Sequence, residues 1–199
     1  MYAIVENKKI IETFNTPRKL IRNDVRYSTK IYSLWTVDEK KTIGLYEVEY
    51  DNSKKKDEEW YINTNQTIAY KTTGDKVVAS YGNATAKAIN DRNAIDENGI
   101  ELDPVQVIKG LKTIKKEMIN NQCAELLGRS DWRVVKAKET ETEMDSGWKT
   151  WRASVRAKCN SMQTQIDNAS DVDALATLFT YTETDGVVSR PLGEFPEKE

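Results

Sequence analysis

The sequence predicts an α+β fold, with an N-terminal antiparallel β-meander followed by a C-terminal helical hairpin and a short third helix. Three observations predict it. Short apolar, β-branched runs with period-two alternation fill roughly the first 90 residues. Apolar residues at helical spacing dominate 103–181. Between them, Asn83 to Leu102 is polar, small and without either period. The division expected is a β-rich domain over 1–90, a linker over 91–102, a helical domain over 103–181 and an extended tail over 182–199.

The β half is read from its turns. Tyr2-Ala3-Ile4-Val5 and Ile10-Ile11-Glu12-Thr13-Phe14 are strand-like, and the polar tetrad Glu6-Asn7-Lys8-Lys9 between them has hairpin length. Thr36 to Lys41 is expected as one inserted helical turn, with Thr36 as N-cap and Glu39 completing a capping box. Gly44 to Tyr50 alternates apolar and acidic residues, the pattern of a half-buried strand. Further strands are expected at Trp60-Tyr61-Ile62, Thr67-Ile68-Ala69-Tyr70 and Lys76 to Tyr81, with Thr73-Gly74-Asp75 as a turn.

In the helical half, Asp103-Pro104-Val105-Gln106 has the form of a helix start. Asp103 caps, Pro104 takes the first helical position and Gln106 closes a capping box. Ile108, Leu111, Ile114, Met118, Cys123 and Leu126 then follow as a stripe, and Gly128 ends the helix. A second helix is expected over Ser146–Asp167, with Trp148, Trp151, Val155, Cys159, Met162 and Ile166 on one face. A third starts at Ser170-Asp171-Val172-Asp173. The residues from Arg129 to Asp145 are expected to join two antiparallel helices, with Glu139, Glu141 and Glu143 on a charged surface or edge strand. After Thr182 the chain reads as extended or mobile.

Composition argues against catalysis and cofactors. The chain has no histidine, the commonest general base and metal ligand. Cys123 and Cys159 are too far apart for a metal motif and read as two buried thiols. The acidic stretch Asp91 to Glu101 fails as a calcium loop: with Gly99 at the sixth position, Ala94 and Val105 fall where carboxylates are required. No phosphate-binding glycine loop occurs, and no pair of acids is held at a glycosidase spacing. The expectation is a protein that is not an enzyme and holds no cofactor or metal.

A net charge of −2 gives no general attraction to nucleic acid. The lysines at 109–116 and 149–158 are diluted by nearby acids such as Glu117, Glu125 and Asp145. No run is apolar enough to span a membrane, and Met1 to Asn7 lacks signal-peptide character. Neither nucleic acid nor membrane is therefore an expected partner. With 38% hydrophobic and 31% charged residues the cores should be thin, as in proteins that complete their burial against other proteins.

The aromatic residues carry the expected site. Trp132, Trp148 and Trp151 lie close together beside Arg133, Arg152 and Arg156. Tryptophan and arginine are typical interface anchors. Trp148 and Trp151 also fit the core stripe of the second helix, whereas Trp132 follows the Gly128 turn and reads equally well as core or anchor. The candidate partner-binding residues are Trp132, Arg133, Arg152 and Arg156.

The run Leu126-Leu127-Gly128-Arg129-Ser130-Asp131-Trp132-Arg133-Val134-Val135, the acidic spacer and then Trp148-Lys149-Thr150-Trp151-Arg152-Ala153-Ser154-Val155-Arg156 resemble the back half of phage tail-fibre assembly-like proteins. The matching elements are Ser130-Asp131-Trp132, Trp151-Arg152 and Val155-Arg156. Trp35 to Glu39 with Ile43 to Val48 is similar to N-terminal modules of the same phage group. The resemblance implies a small tail-associated protein of a tailed bacteriophage, synthesised in the host cytoplasm. Two roles follow from it: a structural part of the virion tail, fibre or baseplate, or an assembly chaperone absent from the finished particle. Its partners would be other phage tail or fibre proteins; homo-oligomerisation is left open.

Overall fold

The computed structural model describes residues 1–198 and has an α+β fold, strand-rich at the N-terminal end and helical towards the C-terminal end. The chain divides into two compact units, one of Met1–Thr85 and one from Ala86 onward.

In the first unit, β1 (Tyr2–Glu6) and β2 (Lys9–Phe14) form a hairpin. Glu6 pairs with Lys9, so only Asn7 and Lys8 turn the chain, both with positive φ (48° and 64°). This is the backbone that two-residue hairpins favour, because its twist matches that of the strands. Asn23 and Asp24 repeat the device between β3 (Leu20–Arg22) and β4 (Val25–Tyr27). After α1 (Ile31–Leu34), the expected capping box opens α2 (Val37–Thr42). The Glu39 N–H donates to Thr36 Oγ1 at 3.2 Å, and the Thr36 N–H donates to Glu39 Oε2 at 2.7 Å. Next come β5 (Leu45–Asp51), β6 (Tyr61–Ile62), β7 (Thr67–Lys71) and β8 (Lys76–Ser80).

The main sheet has the order β2-β1-β5-β8-β7, and here the meander expectation is corrected in one respect. β5 and β8 are parallel, with Val48 opposite Val77 and Tyr50 opposite Ala79. Burial fits this arrangement: Val77, Val78 and Ala79 are all buried, as on an interior strand covered on both faces, whereas β7 has no fully buried side chain and forms the edge. β1 is also buried on both faces. Ala3 and Val5 pack with Val48, Val77 and Ala79 on one side. Ile4 packs with Leu20, Ile31, Tyr32, Ile43 and Leu45 on the other. Gly44 makes this close approach possible. It has φ +75°, its carbonyl accepts from the Val5 N–H at 2.8 Å, and a Cβ there would lie 2.5 Å from the Val5 carbonyl oxygen.

The second unit follows β9 (Thr85–Ala86) at the boundary. The expected linker over 91–102 is a structured hairpin instead. β10 (Arg92–Asn93) pairs antiparallel with β11 (Val107–Ile108), and a bridge joins Ile95 to Glu101. The Asp96 carboxylate organises the turn by accepting from the Asn98 and Ile100 N–H groups. The helix start expected at Asp103 is corrected by the same pairing. The Gln106 carbonyl accepts from the Ala94 N–H at 2.7 Å, so this backbone is committed to the hairpin. Helix α3 (Leu111–Gly128) begins later, behind Gly110. The Leu111 and Lys112 N–H groups donate to the Ala88 and Ile89 carbonyls, and Asp91 accepts from the Gly110 N–H at 2.7 Å, a bond that holds its carboxyl below the usual range.

Three more helices follow: α4 (Asp131–Glu139), α5 (Ser146–Asn168) and α6 (Val172–Phe179). α3 and α5 are antiparallel. Along their length Lys116 bonds Asp167, Asn120 bonds Gln163, and Arg152 bonds the Leu127 carbonyl. Leu111, Ile119 and Cys123 of α3 are buried, as are Trp151, Val155, Cys159, Met162 and Ile166 of α5. Burial pushes the Cys123 thiol up to about 11, helped by the neighbouring Cys159. Ile114 and Ile108, placed in the expected stripe, are exposed: the buried row of α3 advances by four residues from Leu111 through Lys115 to Ile119 and passes Ile114 by, and Ile108 lies in β11, outside the helix.

The segment after Thr182 is also corrected. It forms a hairpin, β12 (Thr182–Thr184) with β13 (Val187–Ser189), turned by Asp185 and Gly186. It then returns to the helices. Leu192 is fully buried and its N–H donates to the Leu178 carbonyl. Lys158 Nζ donates to the Leu192 carbonyl at 2.9 Å, and Trp151 Nε1 to the Pro196 carbonyl at 2.9 Å.

Candidate partner-binding site

The joint between α3 and α5 is where the expected site residues meet, and it contains a helix in place of the expected loop or edge strand. α3 stops at Gly128, and Ser130 is fully buried at the break. Its hydroxyl donates to the Leu127 carbonyl at 3.0 Å. From α5, Arg152 reaches the same point. Its guanidinium donates to Ser130 Oγ at 2.6 Å, the Leu127 carbonyl at 2.7 Å and Asp131 Oδ1 at 2.7 Å. With its side chain only 8% exposed, Arg152 is an internal strut. It is therefore removed from the set of partner-binding residues, because its donors are spent on three internal acceptors.

α4 is the helix this strut holds, and it buries none of its nine side chains. Trp132 is 54% exposed, and Val134 and Val135 are exposed as well. The guanidinium carbon of Arg133 lies 4.4 Å from the Trp132 ring centroid and 4.5 Å from that of Trp148, within cation–π range of both indoles. Trp148 is positioned by the α5 N-cap, where the Asp145 carboxylate accepts from its N–H at 3.1 Å. Its ring meets Trp151 edge-on at 5.5 Å, and Lys198 Nζ lies 5.4 Å from its centroid.

No family model matches the chain. Neither a curated protein nor a solved structure matches it either.

The structure thus brings Trp132 and Arg133 together, adds Trp148, and moves Arg152 inside. Arg156 lies one turn along α5, exposed, with Nη1 3.3 Å from the Arg152 carbonyl. Trp148 has two roles that spacing alone does not separate: it lies on the core stripe of α5 and it also backs the Arg133 stack. Lys136, one turn beyond Arg133, was missed by sequence reasoning. With Trp132, Arg133, Thr142, Glu143 and Met144 it lines an open groove of about 180 Å³ between α4 and the loop to α5.

Among the described residues, no three His, Cys, Asp or Glu side chains lie together as a metal site, and no helix is long and apolar enough to cross a membrane. What this joint offers chemically is an exposed indole, a stacked guanidinium and a groove beside them.

Proposed function

We propose that this chain is a non-enzymatic, tail-associated structural protein of a tailed bacteriophage, a tail, tail-fibre or baseplate component that works through protein–protein contacts. The observation that carries the contact part of this reading is α4. A nine-residue helix with no buried side chain is anchored at its start by Arg152 but packs no apolar face of its own, the usual source of a short helix's stability. Trp132 and Val135, three residues apart, share a face and are both exposed. A partner laid on that face would bury both. The phage part is supported by the pattern of Ser130-Asp131-Trp132, Trp151-Arg152 and Val155-Arg156, which resembles tail-fibre assembly-like proteins.

The test is made on particles. Antibody against the chain should detect it in purified virions at a fixed copy number, and gold-labelled antibody should mark the tail. Absence from particles, with the chain present in infected cells bound to fibre subunits, would assign it instead to transient fibre assembly. Absence from both would end the phage reading.

A further inference from the structure

We infer that Arg133 is a carboxylate receptor, and that the partner laid on α4 presents an acidic side chain flanked by apolar residues. The inference rests on the reading of α4 as a docking face.

The argument begins with what occupies the guanidinium. Two indoles lie against it, with centroids 4.4 and 4.5 Å from its central carbon. Its N–H donors lie in the guanidinium plane. Among the described residues none of these donors has an acceptor, and the Lys136 ammonium has no ionic partner either. Three other arginines of this unit are paired with acids: Arg129 with Glu125, Arg152 with Asp131 and Arg190 with Glu194. Arg133 is therefore packed against two rings with its hydrogen-bond donors unused. A planar fork in that state matches a carboxylate, which accepts two parallel N–H bonds. Packing against two rings already restricts the side chain, so less rotamer freedom is lost on binding.

The surroundings choose between anions. Lys136 adds a second positive charge to the groove, while Glu143 and Asp145 line it on the loop side. A polyphosphate chain passing through would meet those acids. A single carboxylate on Arg133 need not, and its apolar neighbours would cover Trp132 and Val135.

The probe is the capped pentapeptide Ala-Leu-Glu-Leu-Ala, compared with the same peptide carrying Gln. Two NMR resonances report binding in the full chain, the Arg133 Nε–H and the Trp132 indole N–H. The expected result is saturable movement of both with the Glu peptide, an affinity at least about tenfold weaker with the Gln peptide, and weakening by salt. In Arg133→Gln the indole resonance should stop responding to the Glu peptide. No movement, equal response to both peptides, or tighter binding of an oligothymidylate overturns the proposal. Failure of the docking reading is told apart by incorporation into particles. If Trp132→Ala is lost from virions while Arg133→Gln enters them in full, α4 docks and the carboxylate receptor falls. If neither change affects incorporation, the docking reading falls as well.

Discussion

Arg152 donates to the buried hydroxyl of Ser130 at 2.6 Å, and that contact fixes where α4 departs from the helical hairpin. Replacing Arg152 with Ala leaves the Leu127 carbonyl one donor short and removes a buried stem from the joint. The expected loss is about 2–4 kcal/mol in urea unfolding. Arg152→Lys should recover less than half of it, because one ammonium does not span three acceptors. Faster amide exchange confined to α4 in the Lys variant would mark the strut directly.

Trp132 should behave oppositely. Because it is half exposed and outside the core, Trp132→Ala is expected to change stability by less than about 1 kcal/mol. The same unfolding experiment checks it, and a loss of several kcal/mol would make Trp132 a core residue.

Gly44→Ala tests the close approach of Gly44 to Val5 where β5 begins beside β1. Positive φ and a Cβ 2.5 Å from a backbone oxygen act together, with no flexible side chain available to move aside. A loss of about 3 kcal/mol is expected for the first unit. A neutral result would show that the strands separate more easily than this geometry implies.

Leu192→Ala should destabilise the second unit by about 2–5 kcal/mol, the usual cost of a buried leucine. Proteolysis gives a second readout: residues beyond Ser189 should resist cleavage in the parent chain and become labile in the variant.

An alkaline limb should come from the Tyr46–Tyr70–Asp75 cluster. Burial and the hydrogen bond to Asp75 push the Tyr46 phenol up to about 12. The unfolded value is near 10. The fold thus binds this proton more tightly than the unfolded chain does. The stability it contributes is whole below about pH 10 and is lost as pH rises through about 12. Tyr46→Phe should flatten the decline over that window, measured as urea midpoints against pH.

What was legible in the sequence is what neighbouring residues decide among themselves. The Thr36–Glu39 box spans four residues, and both it and α2 appear as read. The α5 stripe from Trp151 to Ile166 follows from helix periodicity alone. What was not legible depends on distant partners. Asp103-Pro104-Val105-Gln106 has the form of a helix start, yet its backbone is claimed by Asn93 and Ala94 across a hairpin. α4 carries no apolar period because Arg152, from another helix, anchors it. Leu192, in a tail with no helical or strand-like apolar period, gives no local sign that Leu178 and Lys158 will hold it. At the site, the Trp132–Arg133 adjacency was readable, but the second indole on Arg133 was not.

The parallel contact between β5 and β8 also sets an order of events in folding. The hairpins β1–β2 and β7–β8 close short loops and form from contacts a few residues apart. Val48 meets Val77 only after the whole intervening segment has been drawn in. The entropy of that closure is lost before the pairing repays it, so the step that joins the two hairpins should govern the rate. Lengthening the charged loop at 52–57 should then slow refolding only gently, since closure entropy grows with the logarithm of length. Weakening the Val48–Val77 pair should act on the equilibrium and on the speed of folding together.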